Sequence, residues 1–149
     1  MTDRAVSIAL THALTVAIST VLVSGLIIGA GTLLESQEQT VGETQLREIG
    51  SDAVTYINTL DRLNRTGENV TVTAEPDYPE RILGSYRYTI AIENRTGSNT
   101  LVVRSEQLGR SVEFDIETRT NVTSSGTSGG DVEISLCEGD RLTLAGCGS

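Results

Sequence analysis

The chain has 149 residues and a formal net charge of −9, because 20 acidic residues outnumber 11 basic ones, all of which are arginine. This lysine-free acidic composition argues against nucleic acid as a partner, since phosphates are bound by patches of lysine and arginine. It favours solubility in strong electrolyte, which points to a salt-adapted organism. Aromatic residues make up only 3% and tryptophan is absent, so any core must be small and built from valine, isoleucine and leucine.

An uncharged, apolar run at residues 5–34 opens the chain. As a helix, residues 8–34 would be about 40 Å long, and about 20 apolar residues are enough to span a bilayer. A cleavable secretory signal has an apolar core of only about 7–15 residues. The run therefore predicts a retained membrane helix, with a buried helix of a soluble domain as the alternative.

Small and hydroxylated residues recur within this run. They are Ser7, Thr11, Thr15 and Ser19 at intervals of four, and Gly25 and Gly29 in a GxxxG step. Such positions let another helix approach closely, although serine and threonine can equally bond to the carbonyl four residues back. His12 is the only ionisable side chain in the run; a proton relay would need a carboxylate at membrane depth, so we predict a neutral histidine near the interface.

The charges that flank the run predict its orientation. Arg4 precedes it, whereas Glu35, Glu38 and Glu43 follow it. Cytoplasmic flanks of membrane helices carry an excess of basic residues, so the short N-terminus is predicted to lie in the cytoplasm. The protein would then cross the cell membrane once, with the C-terminal domain outside the cell.

Two further features fit an exported surface. Four glycosylation sequons begin at Asn64, Asn69, Asn94 and Asn121, and such sites belong to exposed, secreted segments. Cys137 and Cys147 form an even pair, for which a disulfide worth roughly 2–3 kcal/mol is the default interpretation outside the cell. Chance sequons and free thiols are the alternatives. A metal site is not expected, because two thiols without a histidine or a second pair fall short of tetrahedral ligation.

After the apolar run, the helix is predicted to continue as an amphipathic stalk over residues 35–66. Its apolar stripe follows a three-four spacing. The stripe consists of Val41, Leu46, Ile49, Ala53, Ile57, Leu60 and Leu63, with acidic residues, Asp61 among them, on other faces. Gly42 and Gly50 each cost up to about 1 kcal/mol relative to alanine in a helix, so a bend is expected near either. Gly67 is the predicted left-handed residue that ends the helix.

From Asn69 onward the apolar period changes to two, which predicts short half-buried strands at residues 70–73, 86–92, 101–103, 112–117, 132–136 and 141–144. Turns are expected at Pro76 to Pro79, at residues 94–98, at 108–110 and at 138–140. All strand connections are predicted to be antiparallel, because none is long enough for a crossover helix. Residues 124–130 are predicted to form a flexible exposed loop, which lacks the lysine of a phosphate-binding loop.

No catalytic constellation is recognisable, so the chain is predicted to be neither an enzyme nor dependent on a cofactor. The only histidine lies in the apolar run, and no Cys-His pair occurs outside it. Glu113, Asp115 and Glu117 alternate along one predicted strand and therefore share a face. A cation site there is conceivable, but a solvated acidic surface is the plainer interpretation.

The start of the chain resembles the type IV pilin-like proteins of archaea, in particular of haloarchaea. Their leader ends with a basic and a small residue just before a long apolar helix, as Arg4, Ala5 and Val6 do here. The resemblance implies cleavage between Ala5 and Val6 by a prepilin peptidase, and entry with other pilin-like subunits into a filament whose core is a helix bundle. Typical pilins carry glutamate five residues into the mature helix, where this chain has Leu10, which implies a minor subunit.

Together these inferences predict an α+β fold of the pilin-like lollipop type. Residues 1–5 would be a cytoplasmic leader, 6–34 a transmembrane and assembly helix, 35–66 a helical stalk and 67–149 an extracellular antiparallel β domain. The expected function is structural, as a homo- or hetero-oligomeric subunit of a surface filament in adhesion or assembly. The alternatives are an anchored cell-surface binding protein that never polymerises and, third, an extracytoplasmic enzyme.

Overall fold

The structure is a computed structural model that describes residues 2–66, 71–95 and 98–147, with side chains from residue 10 onward except that of Arg95. One long N-terminal apolar helix is followed by a small β domain of mainly antiparallel strands, which confirms the predicted α+β class. The chain divides into two compact units, Met1–Glu38 and Gln39–Ser149. Helix α1 (Thr2–Thr66) is 65 residues long and contributes to both units.

The part of α1 that lies in the second unit is amphipathic, as its spacing predicts. Five residues of the predicted stripe are buried, namely Leu46, Ile49, Ala53, Ile57 and Leu60. Val41 and Leu63 are 49% and 42% exposed, so the prediction was wrong at both ends of the stripe. The four-residue step back from Leu46 reaches Gly42 instead of Val41, and the buried residue that follows Leu60 is Asp61.

The ten strands of the described residues all lie in the second unit. They are β1 (Val72–Ala74), β2 (Arg81–Ile82), β3 (Tyr86–Arg87), β4 (Thr89–Arg95), β5 (Ser98–Ser105), β6 (Arg110–Ile116), β7 (Asn121–Val122), β8 (Ser125–Ser128), β9 (Ile134–Cys137) and β10 (Arg141–Thr143).

The first sheet has the order β6-β5-β4-β8, and all its pairs are antiparallel. Its central strands come from the segments with the clearest alternation of apolar and polar residues, because one face of each strand is buried. Ile90 pairs with Val103, and Leu101 pairs with Phe114, so apolar residues of neighbouring strands meet on the same face. The turn between β4 and β5 was predicted to include Thr96 and Gly97, which lie outside the described residues.

Strand β8 corrects the prediction of a flexible loop at residues 124–130. It pairs with β4, with Ile90 opposite Thr127, and the Ser124 hydroxyl donates to the carbonyl of Ile92 at 2.9 Å. Backbone and hydroxyl hydrogen bonds hold this strand, since it has almost no apolar side chain to bury. It therefore shows no alternation of apolar and polar residues from which a strand could be predicted.

The second sheet has the order β1-β9-β10-β7. Strands β9 and β10 form the predicted antiparallel hairpin, with Leu142 opposite Leu136. Strand β7 is parallel to β10, with Asn121 opposite Arg141. The expectation that all pairs are antiparallel was wrong here, because the two partners are separated in sequence by β8 and β9 and are not joined by a direct turn.

A separate hairpin of β2 and β3 lies between β1 and β4 in sequence. The hairpin was not predicted, although both residues of β3 fall within the strand predicted at residues 86–92. Its turn places Leu83 at φ 50° and Gly84 at φ 69°, a left-handed pair that glycine tolerates well and leucine poorly. The backbone N–H of Leu83 donates to Oε1 of Gln45 at 2.9 Å, which ties the turn to α1.

One apolar cluster fills the second unit. The helix stripe supplies one side of this cluster, and both sheets supply most of the rest. Its strand members include Ile90, Ile92, Leu101, Val103, Ile134, Leu136 and Leu142, each no more than 1% exposed. With no tryptophan, these branched aliphatic side chains carry most of the burial, at about 25 cal/mol per Å² of apolar surface removed from water.

The two glycines that were expected to bend the helix instead permit close packing against it. Helix α1 is uninterrupted through both. A Cβ atom added at Gly42 would overlap Cδ2 of Leu108, and one added at Gly50 would overlap the ring of Phe114. Phe114 is the only phenylalanine of the chain, so its ring is seated where the helix has no side chain.

We expect Gly50→Ala to lower the free energy of unfolding. Overpacking against the Phe114 ring costs about 1–3 kcal/mol, which exceeds the gain in helix propensity of up to about 1 kcal/mol. Urea denaturation followed by tyrosine circular dichroism measures the change. Ser51→Ala, on the exposed side of the same turn, is the matched control and should be neutral or slightly stabilising. A rise in stability for both variants would contradict the close-packing role of Gly50.

Candidate membrane and assembly site

The described side chains of residues 10–38 are all exposed, although most of those before Glu35 are apolar. The large ones are Leu10, Leu14, Val16, Ile18, Val21, Leu22, Val23, Leu26, Ile27, Ile28, Leu33 and Leu34, each more than half exposed. The apolar part of α1 reaches a mean hydropathy of 2.2 and is the one helix in the described residues long and apolar enough to cross a membrane. An exposed apolar surface of this extent indicates a site of contact with lipid or with other protein.

Threonine hydroxyl groups on this surface bond to carbonyls of the same helix. Thr15 donates to the carbonyl of Thr11 at 2.9 Å, and Thr20 donates to that of Val16 at 2.8 Å. These bonds remove the cost of leaving a hydroxyl unpaired in an apolar medium. The Thr15 hydroxyl of the stripe is thus paired without a neighbouring helix, and its small side chain still permits one to approach.

The glycines of the first unit have no other part of the chain packed against them. A Cβ atom added at Gly25, Gly29 or Gly31 would meet no atom within 4 Å, and their backbone dihedrals are helical. Gly25 and Gly29 lie on the same side of α1, one turn apart, whereas Gly31 lies about 200° around the helix from Gly29. The GxxxG step therefore presents bare backbone on one side that another helix can approach.

The predicted processing residues Arg4, Ala5 and Val6 lie in the first turns of α1, and their side chains are outside the described set. Leu10, which takes the place of the glutamate of typical pilins, is 70% exposed on the helix. The described apolar surface begins at Leu10, four residues after Val6.

A polar cluster that sequence analysis missed lies at the C-terminal end of α1. Asp61 is 2% exposed. Its Oδ1 accepts hydrogen bonds from the backbone N–H groups of Arg119 and Thr120 at 3.1 Å each and from the Thr120 hydroxyl at 2.8 Å, while Oδ2 pairs with Arg65. Burial raises the pKa of Asp61, but the hydrogen bonds from Thr120, Arg65 and Arg119 outweigh burial and hold its pKa below the usual 3.8.

Asn64 extends this cluster to the second sheet. Its Nδ2 donates to the Thr120 hydroxyl at 3.2 Å and to the carboxylate of Asp140. Asp140 occupies the left-handed region at φ 62° in the turn between β9 and β10, and its carbonyl accepts from the N–H of Asn121 at 3.0 Å. Hydrogen bonds therefore connect the last turn of α1 to residues 119–120 and to the β9–β10 turn.

The four sequons differ in their surroundings. Asn64 and Asn94 both use their amide nitrogens within the protein, and the Asn94 nitrogen donates to the carbonyl of Val122 at 3.0 Å. Asn121 is exposed on β7. Asn69 and Gly67, the predicted helix cap, lie outside the described residues.

The structure pairs Cys137 and Cys147 in a disulfide with a Cα separation of 5.4 Å, as the even cysteine count predicted. Cys137 ends strand β9 and is buried, whereas Cys147 follows β10 and is exposed. The chain after β10 therefore folds back toward β9, as the bond geometry requires.

The acidic side chains form an exposed surface. Glu113, Asp115 and Glu117 are all exposed, in keeping with the solvated interpretation.

Asp52 accepts a hydrogen bond from the Tyr78 hydroxyl at 2.9 Å in a cleft beside α1. Burial, followed by Asp52, raises the pKa of Tyr78 above its ordinary value of 10.0. Across the described residues, no three histidine, cysteine, aspartate or glutamate side chains are grouped to hold a metal ion.

A family model described as "Family of unknown function (DUF7266)" matches residues 1–145. This match covers nearly the whole chain, so the protein belongs to that family. No curated protein and no solved structure matches the chain.

Proposed function

We propose that this member of a family of unknown function is a pilin-like structural subunit, of the minor kind, in an archaeal type IV pilus-like surface filament. The observation that carries the proposal is the apolar stretch of α1, which follows Arg4 and Ala5 in sequence and whose described side chains, from Leu10 onward, are exposed. The same helix supplies the buried stripe of the second unit. Its task would be adhesion or filament assembly, without catalytic activity.

The proposed topology follows from the charges beside the apolar stretch. Arg4 lies on the cytoplasmic side, and the acidic residues that begin at Glu35 lie outside, with the β domain, in the salt-rich surroundings that suit a net charge of −9. The sequons and the disulfide are compatible with that compartment. A prepilin peptidase on the cytoplasmic side is the proposed first partner.

The chemistry of assembly would be a transfer from one apolar medium to another. In the membrane the apolar surface of α1 is covered by lipid, and in a filament it is covered by helices of other pilin-like subunits. Because lipid is as apolar as the helix surface, association depends on close van der Waals packing, for which Gly25 and Gly29 leave room. Leu10 forms no charge pair of the kind a glutamate would provide, which favours a minor subunit over the main one.

The deciding measurement is the N-terminus of the mature, membrane-associated protein. A prepilin peptidase cuts before the apolar helix, whereas a signal peptidase cuts after it. We expect a mature chain that starts at Val6. A start at Met1 or Thr2 would favour a non-polymerising membrane-anchored binding protein, and a start beyond Leu34 would contradict both functions.

Isolation of surface filaments separates the two remaining candidates. Mass spectrometry of sheared filaments is expected to identify this chain at low stoichiometry beside a main pilin. Its complete retention in the membrane fraction, with filaments present, would favour the anchored binding protein.

A further inference from the structure

We infer that Asn121 carries an N-linked glycan in the folded protein, whereas the sequon asparagines Asn64 and Asn94 serve as structural amides. The sequence alone does not distinguish the four sequons, whereas the structure shows which of the described asparagine side chains are engaged in hydrogen bonds and which is not. The inference rests on the proposed location of the β domain outside the cell, and it does not depend on filament assembly.

The Asn64 sequon is closed to modification by its contacts. Its amide nitrogen has two hydrogens and donates two hydrogen bonds, to Thr120 and to Asp140. A glycan replaces one of these hydrogens, so one bond to the cluster at the end of α1 would be lost. Thr66, the hydroxyl residue of this sequon, donates to the carbonyl of Leu63 at 2.9 Å and lies about 200° around the helix from Asn64.

The Asn94 sequon is restricted by a backbone contact. The Asn94 amide nitrogen lies 3.0 Å from the carbonyl oxygen of Val122, to which it donates. This bond uses one of the two amide hydrogens, so a sugar on the nitrogen would have to replace the other hydrogen while the first stays bound to β7. The acceptor residue, Val122, is the middle residue of the Asn121 sequon.

The Asn121 sequon is open and extended. Because side chains alternate along a strand, Asn121 and Thr123 both point outward while Val122 is buried at 8% exposure. The side chains of Asn121 and Thr123 make no hydrogen bond within the described part of the chain. Their backbone N–H groups donate to Asp140 and Leu142 at 3.0 and 2.9 Å, and β7 lies at the edge of its sheet. Amide and hydroxyl are thus presented together on one exposed face.

The reaction is a transfer of an oligosaccharide from a lipid-phosphate donor by a membrane oligosaccharyltransferase. Nδ2 of Asn121 forms a bond to the anomeric carbon of the sugar, and the bond from that carbon to the phosphate oxygen breaks. The lipid phosphate leaves with the electron pair, and one amide proton is released. The transferase recognises the hydroxyl of Thr123, the third residue of the sequon.

Glycopeptide mass spectrometry of the protein purified from the membranes of its own cells tests this assignment. The peptide that contains Asn121 is expected to carry a glycan. Asn121→Gln and Thr123→Ala should abolish that mass shift completely, whereas Thr123→Ser should retain it. Asn64→Gln and Asn94→Gln should leave the glycan on Asn121.

Unmodified Asn121, or a glycan on Asn64 or Asn94 in the native protein, would overturn the inference. Its failure is distinguishable from that of the proposed function. A glycosylated Asn121 in a chain that never enters filaments contradicts only the filament role, and an unmodified Asn121 in a filament subunit contradicts only the glycan assignment.

Discussion

Asp61→Asn is expected to lower the free energy of unfolding by about 2–4 kcal/mol, since it breaks a buried charged network. The carboxylate accepts bonds from two backbone N–H groups, a hydroxyl and the Arg65 guanidinium. An amide of the same shape turns one oxygen into a donor and leaves a buried partner unpaired. Urea denaturation of the full chain in detergent, followed by the circular dichroism of the buried tyrosines Tyr78 and Tyr88, measures the loss.

Asp115→Asn is the matched control. Asp115 is exposed on β6 and lines the same surface cleft as Asp61 and Arg65. Its change removes the same charge from a chain of net charge −9, so it reports the effect of losing one exposed negative charge at this cleft. We expect a change within about 0.5 kcal/mol. Equal effects of the two substitutions would contradict a specific role for the buried network.

The effect of Asp61 should also depend on pH. Its pKa is lower in the folded protein than in the unfolded chain, where it is about 3.9. The folded state therefore binds this proton less tightly, and the stabilisation is complete above the unfolded pKa and is lost as pH falls through the folded pKa. Below about pH 4 the stability of the wild type should approach that of Asp61→Asn, while above pH 5 the difference should be constant.

Gly29→Leu is expected to weaken self-association, or association with partner pilins, by about tenfold or more, equivalent to about 1.4 kcal/mol. A Cβ atom added at Gly29 meets no other part of the chain within 4 Å, so we expect the fold of the subunit to be retained. It would stand on the bare side that Gly25 and Gly29 share and would hold a partner helix away. Energy transfer between labelled subunits in lipid bilayers gives the association constant, and membrane extraction checks that insertion is intact.

Gly31→Leu is the control for this experiment. It adds the same apolar side chain two residues further on, where a Cβ atom also meets nothing within 4 Å. Because it lies on a different side of α1, its association constant should stay near that of the wild type. An equal loss for both variants, or no loss for either, would remove the GxxxG side from the assembly surface.

Periodicity predicted the helix and the central strands, because those elements bury apolar side chains at regular intervals. The spacing of Leu46, Ile49, Ala53, Ile57 and Leu60 has the period of a helix that is buried on one side. Elements held by backbone hydrogen bonds leave no such signal. Strand β8 has the sequence Ser-Gly-Thr-Ser, and its pairing with β4 depends on the position of residues that are distant in sequence.

The polar cluster at the end of α1 was missed for a related reason. A carboxylate in an amphipathic helix is most often solvated, and the donors that bind Asp61 come from residues 119 and 120, far along the chain.

The close packing at the other end of the stripe, by contrast, had a signal in the sequence. Gly42 fits the spacing of the buried residues, and a glycine in a buried stripe of a helix indicates a close approach of another element as readily as a bend.

The disulfide also determines how the C-terminal part of the domain would bear mechanical load. Strand β10 lies in the interior of the second sheet, between β9 and β7. Tension applied at the chain end beyond Cys147 passes through the sulfur bridge directly to Cys137 at the end of β9. The covalent path bypasses residues 138–146, so the hydrogen bonds of β10 bear none of the pulling force until the second sheet itself yields. A cell-surface protein under shear would thereby keep an inner strand of this sheet in place.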